Sequence, residues 1–280
     1  KLASQGEIEA MFNLGLIYLT GDGAKQDYTK AKEWFLKAAN KNDTMSAYNL
    51  ALIYKNGLGV PKNDKEAYKY FLIAANKNYA QAQYMLGTMV EKGQGAKKDL
   101  KEAFSWFLKA AKQGHILSEY RVGKMYRLGE GVAKSDTEAK KWYELSANKG
   151  NSFAQVNLGM MYKQGVATKQ DYKEAFNWFE KSANQKNILG QLNLALMYQN
   201  GLGVEKDLKE AFKLYQLASD EGNSSNAQYN LGLMYLKGDG IEKNIDKTIE
   251  YWIKSSEQGF EVAKNSLEKL CKESPNSCKK

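Results

Sequence analysis

The sequence predicts an all-α protein: a right-handed superhelical solenoid of about seven helix-turn-helix units, closed by a C-terminal capping helix. Three observations lead there. Among 280 residues stand 24 glycines and only two prolines, a composition of helices punctuated by glycine turns. One apolar-glycine motif recurs at a fixed period along the chain. A single helical hairpin cannot bury its own apolar face, so repeated hairpins must stack.

The motif is clearest in NLGLMYLKGDG, residues 230 to 240. Its Leu231 has counterparts in Leu14, Leu50, Leu86, Val122, Leu158 and Leu194, spaced by 36 residues with a single step of 37. Four positions on stand Tyr18, Tyr54, Val90, Tyr126, Tyr162, Tyr198 and Tyr235, and three further on a glycine that never varies, Gly21 through Gly238. A second glycine follows two residues later, replaced only by Ala167. A loop that cradles one phosphate has no reason to recur in every unit, and no strand precedes these glycines, so the turn is read as a joint between helices and not as a nucleotide site.

Each unit then reads in order. The motif run is helix A and the glycines are its turn. Asp27, Asn63, Asp99, Ser135, Asp171, Asp207 and Asn244 fall in one column and are N-caps of helix B. Glu66, Glu102, Glu138, Glu174 and Glu210, three residues on, complete a capping box. In helix B an alanine column from Ala31 to Ala211 permits close approach, and pairs such as Trp34-Phe35 and Trp106-Phe107 fill the space between helices. Polar returns such as NKND and NKGN lead to the next unit. The expected boundaries are a remnant of a preceding helix B at 1–6 and repeats at 7–42, 43–78, 79–114, 115–150, 151–186, 187–222 and 223–259. A capping helix follows at 261–274, where FEVAKNSLEKLCKE resumes helix A without its glycine, and then a tail at 275–280.

Leu-Gly-x-x-Tyr, Gly-x-Gly and the cap Asp, followed by Lys-Ala-x-x-Trp and Ala-Ala at this period, closely resemble the Sel-1-like repeat, a cousin of the tetratricopeptide repeat. Departures are few: Ala51 and Ala195 for Gly, Val90 for Tyr, Thr248 for Ala. The resemblance implies a non-catalytic, cofactor-free adaptor that holds a partner protein, bacterial and in many members exported to meet host or cell-envelope components. It also implies two alternatives, an immunity protein that inhibits a secreted toxin and a protein that meets peptidoglycan or β-lactams.

A formal charge of +9 favours acidic partners, but the lysines recur in every segment, which reads as a solvated helical surface and not a nucleic-acid site. The single histidine, His115, has no companion ligands and is structural or exposed. No His-Asp-Ser set or metal cluster points to catalysis. No apolar run is long enough to cross a bilayer, and no self-association is expected. Cys271 and Cys278 bracket a Pro-Asn-Ser turn and are a disulfide candidate; an even pair points to a periplasmic or secreted protein, with a reducing cytoplasm as the alternative.

Helix arithmetic locates a candidate partner surface. At about 100° per residue, positions two before, two after and five after the motif Leu cluster roughly opposite it, on the side of helix A that lines a solenoid's concave surface. The candidate contacts are Tyr48, Lys55, Tyr84, Tyr120, Lys124, Arg127, Lys163 and Gln199, joined by Asn49, Asn157 and Asn193 from the column before the Leu. The cationic middle suits an acidic segment or a C-terminal carboxylate of a protein or peptide. Contact between neighbouring A helices explains the same stripe as well as a peptide groove does, and the tyrosines at its first position are expected to be largely packed. The Asn amides are open to two uses, holding a peptide backbone or bonding a neighbouring helix.

Overall fold

The computed structural model describes residues 3–278, so Lys1 and Leu2 of the expected remnant and Lys279 and Lys280 of the tail lie outside the described residues. The fold is all-α: α1 (Ile8–Thr20), α2 (Tyr28–Ala39), α3 (Thr44–Asn56), α4 (Asp64–Asn76), α5 (Ala80–Lys92), α6 (Leu100–Lys112), α7 (Ile116–Leu128), α8 (Asp136–Asn148), α9 (Ser152–Gln164), α10 (Tyr172–Asn184), α11 (Ile188–Asn200), α12 (Leu208–Asp220), α13 (Ser225–Lys237), α14 (Ile245–Glu257) and α15 (Glu261–Glu273), with 3-10 turns at Ala3–Gln5 and Pro275–Cys278. Odd-numbered helices are A helices and even-numbered ones B helices. Two compact units, residues 1–145 and 146–280, divide the chain within α8, and each is a stack of hairpins.

The turn between A and B is closed by backbone chemistry. Gly129 ends α7 with φ at +75°, a left-handed conformation that a β-carbon disfavours. The chain then returns so that the N–H of Ser135 donates to the Tyr126 carbonyl at 2.9 Å, as Asn63 does to Tyr54 and Asp207 to Tyr198. Cap side chains take up the first free N–H groups of helix B, Asp99 accepting from Lys101 and Glu102 at 2.8 and 3.0 Å and Asp171 from Lys173 and Glu174 at 2.9 and 3.0 Å. The caps stand where the sequence puts them; the capping box does not form among the described residues. Its glutamate needs the cap's own N–H, which the turn has already given to helix A. Glu66, Glu138 and Glu210 instead pair with lysines three residues on.

The second glycine of the turn has a different task. A Cβ on Gly131 would stand 2.9 Å from the Lys101 amide nitrogen, and closer still to the Leu100 carbonyl. This glycine therefore lets one turn lie on the first turn of the preceding helix B.

The core is a column of rings. Phe35, Phe71, Phe107 and Tyr143 in the first unit, and Phe179, Tyr215 and Trp252 in the second, are buried beside the small residue of the facing A helix, as Phe107 is against Gly87. Each such burial is worth about 1.5–3 kcal/mol. The tryptophans one position earlier are core on one side only: Lys109 sits 3.9 Å over Trp106 and Lys181 4.0 Å over Trp178, a lid of cation–π contacts.

A second column is polar, and the sequence gives little hint of it. Gln83 on α5, Gln155 on α9, Gln191 on α11 and Gln228 on α13 are 2–4% exposed, and Glu119 takes the same place on α7. Gln83 Nε2 donates to the Ala75 carbonyl, and its Oε1 accepts from Gln113 Nε2 at 2.7 Å. Gln155 repeats this with Ala147 and Gln185, and Gln228 accepts from Gln258 at 2.7 Å. These amides tie α5 and α9 to the end of the preceding helix B, and α5, α9 and α13 to the end of their own B helices, which fixes the register of those hairpins.

Candidate binding face

In the first unit the stripe on α3, α5 and α7 is half-buried throughout. Tyr48 lies edge-on to Phe71 and Tyr79 at 5.6 and 5.1 Å, Tyr84 packs on Phe107 and His115 at 5.8 and 5.0 Å, and Tyr120 meets Tyr143 at 6.1 Å. These rings bridge helix B and the start of the next A helix, so their first role is packing.

The charged positions differ in how far they are already engaged. Arg127 Nη1 donates to Asp136 Oδ1 at 2.7 Å. Glu91 pairs with Arg121, whose guanidinium also lies 5.2 Å from the Phe107 ring centroid. Lys55 and Lys124 carry no ion pair among the described residues. Burial first, then the Lys92 ammonium, hold the Lys55 amine below its ordinary value; Asp64 opposes this and Lys62 adds to it. Lys92 and Lys62 are thus near enough to act on Lys55, and the Asp64 carboxylate that opposes them stands 3.6 Å from Lys62.

In the second unit α9 and α11 supply Asn157, Lys163, Asn193 and Gln199. Gln199 Oε1 accepts the Tyr215 hydroxyl at 2.8 Å, and Lys163 carries no ion pair among the described residues. The asparagine amides are turned to their own helices. Asn49, Asn157 and Asn193 each donate from Nδ2 to the carbonyl four residues back in their own helix, at 2.9, 3.1 and 2.8 Å. The face therefore offers half-buried rings with Lys55 and Lys124 in the first unit, and Lys163 in the second.

Sequence reasoning missed the Glu91–Arg121 pair. The opposite charge 30 residues before Arg121 was the available signal. His115 is structural: its Nδ1 accepts the Ser118 N–H as the N-cap of α7, and burial keeps its pKa below the ordinary value of 6.5. Among the described residues no three His, Cys, Asp or Glu side chains cluster to hold a metal, and no helix is long and apolar enough to cross a membrane. At the chain's end Cys271 and Cys278 form a disulfide.

The Sel1 repeat family model matches residues 8–43, 44–79, 80–115, 116–151, 152–187, 188–223 and 225–260. A protective antigen present in uropathogenic Escherichia coli strains, displaying an SLR fold, is similar at 36% identity and TM-score 0.89, over 96% of this chain and 57% of that one. The chain thus spans little more than half of that relative's length. A Sel1 repeat protein from Oxalobacter formigenes is similar at 28% identity and TM-score 0.79, over 96% of this chain and 77% of that one. An immunity protein from Pseudomonas aeruginosa is 20% identical over 76% of this chain and 82% of that one, and its TM-score of 0.47 is too loose a likeness to bear on a role. No curated protein matches.

Proposed function

We propose that this chain, which belongs to the Sel1 repeat family, is a non-catalytic scaffold that holds a partner protein or peptide on the face of its A helices. The observation that carries the reading is the state of Lys55 and Lys124. Both are half-buried on a face rich in tyrosine, and neither has a carboxylate of its own. A carboxylate of a bound segment would supply the missing charge in a partly desolvated setting, where a charged hydrogen bond is stronger than at an open surface. The flanking Tyr48 and Tyr84 add flat, already ordered contact area.

The setting we infer is outside the cytoplasm. The disulfide of Cys271 and Cys278 fits an oxidising compartment, and the uropathogenic relative is a protective antigen. The test compares immobilised protein with a Lys55→Ala/Lys124→Ala variant, using lysates of bacterial and host cells. Alanine at Arg127 is avoided because it would also orphan Asp136. A dominant retained protein, lost with the double variant while the melting temperature stays put, is the expected result. Retention of the same set by both proteins would rule out the A-helix face.

A further inference from the structure

The edge of the first unit formed by its glycine turns carries its own surplus of unpaired charge. Between the turn of α3 and α4 and the turn of α5 and α6 lies an open cleft of about 670 Å³, lined by Lys62, Lys65 and Lys97 over a floor that includes Gly93 and Gly95. A second cleft of about 590 Å³ follows, lined by Lys97, Lys98 and Lys101, so Lys97 belongs to both.

Three carboxylates line these clefts, and each is already engaged. Asp64 faces Lys62, Asp99 accepts two backbone N–H groups as a cap, and Glu102 accepts from the Trp106 indole and the Tyr68 hydroxyl. Lys65, Lys97, Lys98 and Lys101 are exposed or line the clefts and have no ion pair among the described residues. Lys65 and Lys101 stand in the first turn of α4 and α6, where the helix dipole disfavours a cation, so helix stability does not account for them. The first N–H groups of both helices are taken by Asn63 and Asp99, so an anion held here is held by ammonium groups and not by backbone.

We propose that this turn edge is a second contact surface, one that takes an acidic polypeptide segment lying across the two clefts. The shared lysine makes the site continuous, which suits a chain of charges better than one small anion. Because Lys97 lines both clefts, an extended chain with closely spaced Asp or Glu side chains can reach both. Neither cleft is lined by an aromatic ring on which a base could stack, which favours polypeptide over single-stranded nucleic acid. This surface adjoins the A-helix face, since Lys62 and Asp64 of the first cleft act on Lys55, but the lysines changed in the two tests are different, so either can fail alone.

The experiment is fluorescence anisotropy with the full chain and a labelled deca-glutamate peptide, at low and at physiological salt. The comparison is with Lys65→Gln/Lys97→Gln/Lys101→Gln and with Lys264→Gln/Lys269→Gln/Lys272→Gln, an equal loss of charge on α15. The expected result is at least tenfold weaker binding for the turn-edge variant, a shallower salt dependence, and less than twofold change for the α15 variant. Lys→Arg at the three turn-edge positions should restore binding, which separates charge from folding. Equal loss in both glutamine variants would reduce the effect to net charge and overturn the proposal. So would failure of the peptide to bind, or tighter binding of a labelled ten-nucleotide strand through the same lysines.

Discussion

The second glycine of each turn gives the sharpest test of how these repeats stack. Gly131→Ala places a β-carbon at φ +70°, which costs about 1–2 kcal/mol for the left-handed backbone alone. The new atom would also meet the backbone of Leu100 and Lys101, which are held in the first turn of α6 by its hydrogen bonds and cannot move as a flexible side-chain end would. Overpacking of this kind adds about 1–3 kcal/mol, for a total of about 2–5 kcal/mol. Gly23→Ala is the control: it has the same column and a φ of +87°, but no atom lies within 4 Å of its would-be Cβ, so only the backbone term applies. Stacked repeats need not unfold in one step, so the assay is native-state hydrogen exchange read by mass spectrometry. At about 1.4 kcal/mol per tenfold, exchange in α6 and α7 should rise at least 30-fold in Gly131→Ala. Exchange in α1 and α2 should rise about fivefold to 30-fold in Gly23→Ala. Similar local effects in the two variants would show that the glycine at 131 answers to backbone angle and not to contact with the previous helix B, and would refute its role in stacking.

Other outcomes follow from single side chains. Glu221→Gln should raise stability by about 1 kcal/mol, because the buried Oε1 of Gln191 lacks the amide donor that Gln113, Gln185 and Gln258 supply in the same column; the exposed Lys186–Glu221 pair lost in exchange is worth less, and a melting temperature about 2–4 °C higher would confirm it. His115 caps α7 in its neutral form and has a pKa depressed by burial, so its contribution is complete above 6.5 and is lost as the pH falls towards the folded value; His115→Asn, the cap found at Asn151 and Asn187, should flatten that part of the stability profile in pH-dependent urea melts. Reduction of Cys271–Cys278, which closes a loop with a sequence separation of 7, should cost up to about 2 kcal/mol locally, seen as faster exchange in α15 with none in α1 to α7.

The helices and their caps were legible because they depend on local chemistry: a left-handed glycine ends helix A, an Asp or Asn starts helix B, and a ring every 36 residues fills the gap. The capping box looked equally local and does not form, since its acceptor competes for an N–H that the turn has already used. The amide column was hidden for a different reason. A glutamine on an amphipathic helix reads as solvent-facing, and only the pairing of Gln83 with Gln113, 30 residues on, shows that one buried amide is satisfied by another. The candidate face was legible as a direction on one helix and illegible as chemistry, because helical arithmetic cannot say what a neighbour brings. Arg127 and Lys124 look alike in sequence, yet Asp136 neutralises the first and nothing comparable reaches the second among the described residues.

The same distinction changes what the net charge of +9 means. Formal counting lets every Asp or Glu cancel a Lys, but the cap residues of this fold aim their oxygens at their own helix. Asp99, Asp171 and Asp207 each spend one oxygen on two backbone N–H groups, which holds the carboxylate to the helix start and limits its reach towards a lysine. The repeat thus needs a capping oxygen in its turns, and where Asp supplies it the charge is poorly placed to quench the lysines beside it. A Sel1 repeat array whose turns look balanced in composition can in this way present a cationic edge. The cap column offers a direct check: Asp99→Asn keeps the oxygen that caps α6 and removes its charge, so it should leave stability nearly unchanged and tighten deca-glutamate binding at low salt. Unchanged binding would mean that the cap charge is screened from the clefts, and that composition alone describes the edge.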